Sequence, residues 1–362
     1  MTTNGTATTL VYVGTYTHSL PHVQGQARGI HVYRLDAVSG ALTFAHTREG
    51  LANPSYLTLD PRRRYLYCVA ERAEGQVHAF RIEPATGALT PLNHQSSQGP
   101  EPAHISVDRD GRWVLVANYG SGTLAVLPVQ EDGSLGPATD VVQHTGQGTH
   151  PERQVGPHAH WIGTDPANRF VLVADLGLDA IVSYRLEATS GTLVRTSACA
   201  MQPGAGPRHL AFRPDGRYVY VLNELNSTLV ACAYDATSGD VRPLQGLSTL
   251  PAQFMGANWT AAVRVAPSGR FVYASNRGHD SIVIFASHPA TGLLSYVGHA
   301  ATQGQEPRDF NIDPTGTFLL VANQNSDTIV TFRLDAATGG MSATGQVSAA
   351  RTPSCIAFGP AL

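Results

Sequence analysis

The sequence predicts an all-β fold, a seven-bladed β-propeller whose ring is closed by N- and C-terminal strands sharing one blade, and three observations lead there. A small turn signature, usually Thr or Ser before Gly with an apolar residue two positions on, recurs at Gly40, Gly87, Gly133, Gly191, Gly239, Gly292 and Gly339, at spacings of 46 to 58 residues. A second series runs parallel to it: Asp60-Pro61, Asp108-Arg109, Asp165-Pro166, Arg213-Pro214, Ala266-Pro267, Asp313-Pro314 and Gly359-Pro360. Between these landmarks lie short runs of Val, Ile, Leu, Tyr and Phe bounded by Gly, Pro and Asp, with no sustained 3.6-residue apolar period. Four short strands repeated at such a period make a propeller blade.

The stretch from Arg208 to Gly239 shows the elements of one unit in order. A first strand leads to the Pro214-Asp215-Gly216 turn, and an apolar second strand follows over Tyr218–Leu222. A polar loop over Asn223–Ser227, a third strand over Thr228–Tyr234 and the Ser238-Gly239 turn complete the pattern. The seventh unit is divided. The C-terminus supplies only a first strand, Pro353–Phe358, and the N-terminus a second and third, Leu10–Thr15 and Gly29–Leu35, ahead of Gly40. Joining them completes one blade and removes the edges that an open ring would expose, so residues 1–362 are expected to form a single domain.

Composition narrows the chemistry. The 362 residues include 24 arginines and no lysine, which excludes a Schiff-base lysine, a phosphate-loop lysine and a lysine general base. A net charge of −3 with 14% charged residues leaves no basic footprint for nucleic acid or an anionic membrane, so the expected partner is a small molecule. The Thr-rich opening, Met1–Leu10, has neither a basic segment nor an apolar run, and no stretch approaches the roughly 18 consecutive apolar residues of a membrane span. A cytoplasmic protein is the expectation. Cys68, Cys199, Cys232 and Cys355 are scattered without a CxxC, as expected of buried free thiols. No GxGxxG, Walker or GxSxG pattern occurs, the nearest approach being Gly120–Ala125 between two strands, and no cofactor is expected.

Strand direction sorts residues by face. In an antiparallel meander, strand one starts at the face where strand two ends. Five residues before each landmark stand Ser55, Ala103, His160, Arg208, Ala261, Arg308 and Ser354. Ten and eleven residues after it, in the six undivided units, stand Ala70-Glu71, Asn118-Tyr119, Asp175-Leu176, Asn223-Glu224, Asn276-Arg277 and Asn323-Gln324. Both sets should surround one mouth of the central channel. His160, Arg208, Glu224 and Arg277 break the repeat there and are the leading candidates for chemistry, with Arg308 and Glu71 close by. Asn at four of the exits points first to turn-forming residues tolerant of a left-handed backbone, and Glu71 could be solvated or paired with Arg72. His104 and His209, one residue further along, should point away by strand alternation. The long connection Gly136–Pro157, carrying His144 and His150, lies on the same face as a possible lid.

These residues carry a resemblance. Gly206-Pro207-Arg208-His209-Leu210 with Val221-Leu222-Asn223-Glu224-Leu225, together with Pro157-His158-Ala159-His160, Asn276-Arg277 and Pro307-Arg308-Asp309-Phe310, resembles the seven-bladed lactonase family over essentially the whole chain. That family includes propeller-type 6-phosphogluconolactonases and fungal carboxymuconate lactonizing enzymes. The resemblance implies that His160, Arg208, Glu224 and Arg277 form the active site, and the Asn-Glu-Leu-Asn-Ser run is closer to the phosphogluconolactonase branch.

Hydrolysis of 6-phosphogluconolactone or a related sugar lactone is therefore expected. His160 would carry protons, with Glu224 as its alternate or as the group orienting water, and Arg208 and Arg277 would serve as clamps that cannot act as bases. Arg308, His158, Asn223, Asn276 and Glu71 are the expected substrate-binding residues. Three other readings rank lower: a carboxymuconate cycloisomerase, a Ca²⁺-dependent sugar lactonase using Glu71, Asp175, Asn223 and Glu224, and a non-catalytic binding propeller.

Overall fold

The structure, a computed structural model, describes residues 8–362; the start of the Met1–Leu10 opening lies outside the described residues. Its strands form seven four-stranded antiparallel sheets. The innermost strands are Pro353–Ala361, Leu57–Leu59, Pro102–Val107, Ala159–Thr164, Pro207–Phe212, Trp259–Val265 and Pro307–Ile312, and each touches the next until the ring closes. The closing blade is the divided one: Thr8–Thr15 pairs on one side with Pro353–Ala361 and on the other with Gly29–Asp36.

Local chemistry explains both landmark series. Where the landmark is Asp, its side chain closes the turn between strands one and two. Asp108 Oδ1 accepts from the Arg112 and Trp113 amides at 2.6 and 2.8 Å, and Asp165 and Asp313 do the same four and five residues on. Such side-chain-to-backbone bonds fix a turn without a helix. The repeated glycines do two things at once. Gly40 has φ +75° and Gly239 φ +80°, and a Cβ on either would sit 2.6 Å from the ring of Phe318 or Phe170 in the preceding blade. Only glycine meets both the left-handed backbone and the inter-blade approach.

Seven apolar clusters fill the seven seams between blades. In one of them Leu10 and Tyr12 from the first blade meet Leu66 and Phe80 from the second, all essentially without exposure. Each such side chain contributes roughly 1.5–3 kcal/mol by leaving water. Cys68, Cys232 and Cys355 are buried free thiols within this packing, whereas Cys199 is only half-buried, on the outermost strand Thr192–Ala200.

The closing strand carries Cys355, Ile356, Ala357 and Phe358, which pack into two of the seams. Deleting residues 353–362 is expected to abolish the cooperative unfolding transition seen by calorimetry; an unchanged melting profile would contradict closure through this strand.

Candidate active site

The side chains at the mouth are aimed by irregularities in the innermost strands. Pairing runs from Pro102 opposite Asn118 to His104 opposite Ala117, and likewise skips from Ala159 to Trp161, Pro207 to His209 and Pro307 to Asp309. Ala103, His160, Arg208 and Arg308 are the residues passed over. A bulged residue leaves the strand alternation and re-aims its side chain, here toward the channel axis. At the exits of the second strands alternation still holds. Asn118 and Asn223 end their strands and Asn276 is the last but one in Phe271–Arg277, and the residue after each, Tyr119, Glu224 or Arg277, reaches the cavity, as does Glu71.

The resulting cavity is a funnel of about 460 Å³, and a narrow polar space lined by Ser55, Arg208, His209 and Ser354 continues below it. At its base Glu224, 4% exposed, is gripped by three guanidiniums. Arg153 Nη2 lies 2.8 Å from Oε1, and Arg208 Nε and Arg277 Nη2 each lie 2.9 Å from Oε2. Burial alone would raise the Glu224 pKa, but Arg277, Arg208 and Arg153 outweigh it and hold the carboxyl far below its usual range. The charged form of Glu224 is favoured, which suits the expected water-orienting role better than that of alternate acid or base: burial occurs, and the cations reverse its effect.

His160 differs. It is 6% exposed, edge-on to Tyr119 and His209 at 5.5 and 5.6 Å, and its buried Nδ1 has no hydrogen-bond partner. Burial, then the Arg208 charge, pushes its pKa well below the usual imidazole value, with Glu224 opposing. The ring is neutral at physiological pH and able to accept a proton. Arg208 lies below, donating to the Ala261 carbonyl and to His209 Nε2; burial and Arg277 draw it down to about 9, so it stays charged at neutrality.

Arg308 stacks over Tyr16 at 5.1 Å, and no carboxylate lies within 4 Å of it among the described residues. Arg277 Nη2 donates to the Thr260 carbonyl, and its Nη1 lies 3.6 Å from Glu306. Glu71 is neither solvated nor paired with Arg72, which bonds the Glu74 carbonyl instead.

Several expected site residues stand elsewhere. Asn223 Nδ2 donates to Thr228 Oγ1, and Asn276 is bound to Thr249 and Ser281, so both brace the base of a turn instead of lining the funnel. Their backbone is extended; the left-handed residues come four positions later, at Gly122, Asp179, Ser227, Asp280 and Asp327. His158 sits behind Tyr119, stacked at 4.4 Å and bonded through Nδ1 to its carbonyl. The four oxygen ligands of the Ca²⁺ reading do not converge. Asp175 is taken by His144 and the His158 amide, and the guanidiniums around Glu224 would repel a cation.

His104 and His209 do not point away. The bulges cancel the alternation, and both rings meet Tyr56 and each other on the axis, 5.6 Å apart. The Gly136–Pro157 connection is pinned: His144 bonds Asp175 and Tyr184, and buried Gln154 bonds Leu176 O and Asp179. It delivers Arg153 to Glu224.

Arg153 escaped the sequence reading because it lies on that irregular connection, outside the repeat. Tyr16 was also missed, although it follows Thr15, whose pairing with Pro353 makes it the exit of the divided blade. Glu101 and Glu306 stand two residues before the openings and line the funnel with left-handed backbones, φ 53° and 58°, just before proline. The glycine at the same place in another blade, Gly206, marks the conformation. Keeping a side chain there costs backbone strain of the kind found at functional sites.

The fold and site together define a propeller enzyme of the lactonase class. The chain belongs to the family described as "Lactonase, 7-bladed beta-propeller", which it matches over residues 10–358. It is 42% identical over 304 residues to the 6-phosphogluconolactonase of Bacillus subtilis (strain 168), covering 83% of this chain and 84% of that one. Among solved structures, a periplasmic gluconolactonase of Pseudomonas aeruginosa superposes with a TM-score of 0.90 at 35% identity over 98% and 99% of the two chains. A putative 6-phosphogluconolactonase of Bacteroides fragilis NCTC 9343 gives 0.90 at 31% identity over 99% and 100%.

Proposed function

We propose that the protein hydrolyses a sugar lactone, with 6-phosphogluconolactone as the preferred substrate, and that His160 is the general base. The observation that supports this most is the pairing, in one funnel, of the His160 imidazole, which burial and Arg208 hold neutral, with a set of arginines fixed by a single carboxylate. As water attacks the acyl carbon, His160 accepts its proton. Charge building on the carbonyl oxygen falls to Arg277, which the Glu224 cluster holds ready at no reorganisation cost. Arg208 lies too deep to act as a clamp and serves to position Glu224 and Arg277.

Arg308, with no carboxylate within 4 Å among the described residues, suits the phosphate group, since guanidinium–phosphate hydrogen bonds are charge-assisted. The names of the relatives in Bacillus subtilis and Bacteroides fragilis support a phosphorylated substrate. A screen of 6-phosphogluconolactone, glucono-δ-lactone and carboxymuconate tests the reading. Arg308→Ala is expected to raise KM for the phosphorylated lactone about 10–100-fold, as follows from losing a hydrogen bond to a charged group, while leaving KM for glucono-δ-lactone unchanged. Equal effects on both lactones would remove the phosphate role; no lactone turnover by the native protein would remove the function.

A further inference from the structure

Opening a lactone also needs a proton for the departing ring oxygen, supplied by His160 once it has taken one from water or by a separate acid. Glu224, held as a carboxylate, and the charged guanidiniums do not supply it. The funnel holds a second buried carboxyl in a contrasting environment. Glu71, 6% exposed, follows the strand Tyr65–Ala70 and lines both the funnel and the narrow space beneath it, as His160 does. Its Oε2 accepts from Tyr16 OH at 3.0 Å and from Ser55 Oγ. Oε1 is left toward the funnel, with His22 Nε2 3.9 Å away.

Among the described residues no guanidinium lies within 4 Å of Glu71, whereas three crowd Glu224. We propose that Glu71 is the proton donor to the leaving oxygen, a catalytic role that rests on the lactone-hydrolase reading above.

The groups facing it set its balance. Burial raises its pKa, Glu101 adds to that, and Arg308, Ser55 and Tyr16 pull the other way without cancelling it. Burial and Arg308, then Arg277, press His22 down to about 3, so His22 is neutral and supplies no counter-charge near neutrality. Two carboxyls whose surroundings drive their protonation apart are the general pattern of an acid with a fixed charge beside it.

The step balances. His160 takes one proton of the attacking water while its oxygen bonds to the acyl carbon. The acyl–oxygen bond of the ring then breaks, and its electron pair stays on the ring oxygen, which takes the Glu71 proton. The new carboxylic acid ionises and returns a proton to Glu71, and His160 releases its own to solvent. The net change is lactone plus water to hydroxycarboxylate and one proton.

The test compares kcat against pH for native protein, Glu71→Gln and Tyr16→Phe on the lactone that the native protein turns over. Glu71→Gln keeps an acceptor for Ser55 and Tyr16 but cannot donate as an acid. It is expected to lower kcat on the order of 10²–10⁴-fold, the range for general acid catalysis, with KM nearly unchanged and the alkaline limb lost. Glu71→Asp should restore part of kcat. Tyr16→Phe removes a hydrogen bond to the carboxylate form, so the alkaline limb should move to higher pH, a shift that a purely structural role would not produce. A Glu71→Gln protein retaining kcat within about threefold, or a Tyr16→Phe limb that stays put or moves to lower pH, would overturn the assignment. Absence of turnover by the native protein would instead overturn the function on which it rests.

Discussion

Replacing Glu224 with alanine is expected to cost about 3–5 kcal/mol of stability, the usual penalty for removing one partner of a buried ion pair, and to abolish turnover. The carboxylate is the common partner of Arg153, Arg208 and Arg277, each within 3 Å. Without it, Arg208 and Arg277 face one another in a buried space, and Arg277 already ranks second only to burial among the influences lowering Arg208. Guanidinium chloride unfolding would show the loss as a lower midpoint at unchanged slope. Glu224→Gln should recover packing but not charge, and should remain much less stable than the native protein. The dependence on pH has a defined sign. Since the folded-state pKa lies far below the ordinary carboxylate value, this stabilisation is complete above that value and fades as pH falls toward the folded one. A Glu224→Ala protein with a native midpoint would show that the three arginines do not depend on this residue.

The second large effect is expected at His160. His160→Asn should lower kcat on the order of 10²–10⁴-fold, the range for losing a general base, with little change in KM because the anchoring cations remain. In the native protein the acid limb of kcat should lie well below pH 6.5, since burial and Arg208 keep the imidazole neutral there. Stopped-flow or pH-indicator assays of proton release measure both. A limb at or above 6.5, or a variant within about tenfold of native turnover, would remove the base assignment.

How far the site could be read in advance follows from what repeats. His160, Arg208, Glu224, Arg277, Arg308 and Glu71 occupy fixed offsets from the landmarks, and counting offsets finds them because each blade reuses the same strand lengths. Asn223 and Asn276 satisfied the same count one residue too early: at a strand end adjacent side chains face opposite ways, and theirs turn toward the connection. Arg153 follows no offset, since its connection is irregular. His209 defeated alternation because the bulge that aims Arg208 also turns its neighbour inward.

The sequence by itself determined the ring: seven glycine turns, the proline-marked turn series and a divided unit that only a closed circle completes. It also determined which residue types crowd one mouth. The tertiary structure decided what those residues are chemically. Protonation depends on distances between groups far apart in the chain, and residues 153, 208 and 277 meet at Glu224 only when two blades and a long connection converge. The same burial that leaves Glu71 with a raised pKa is overturned at Glu224 by three nearby charges, and no pattern along the chain encodes which way each carboxyl is pushed.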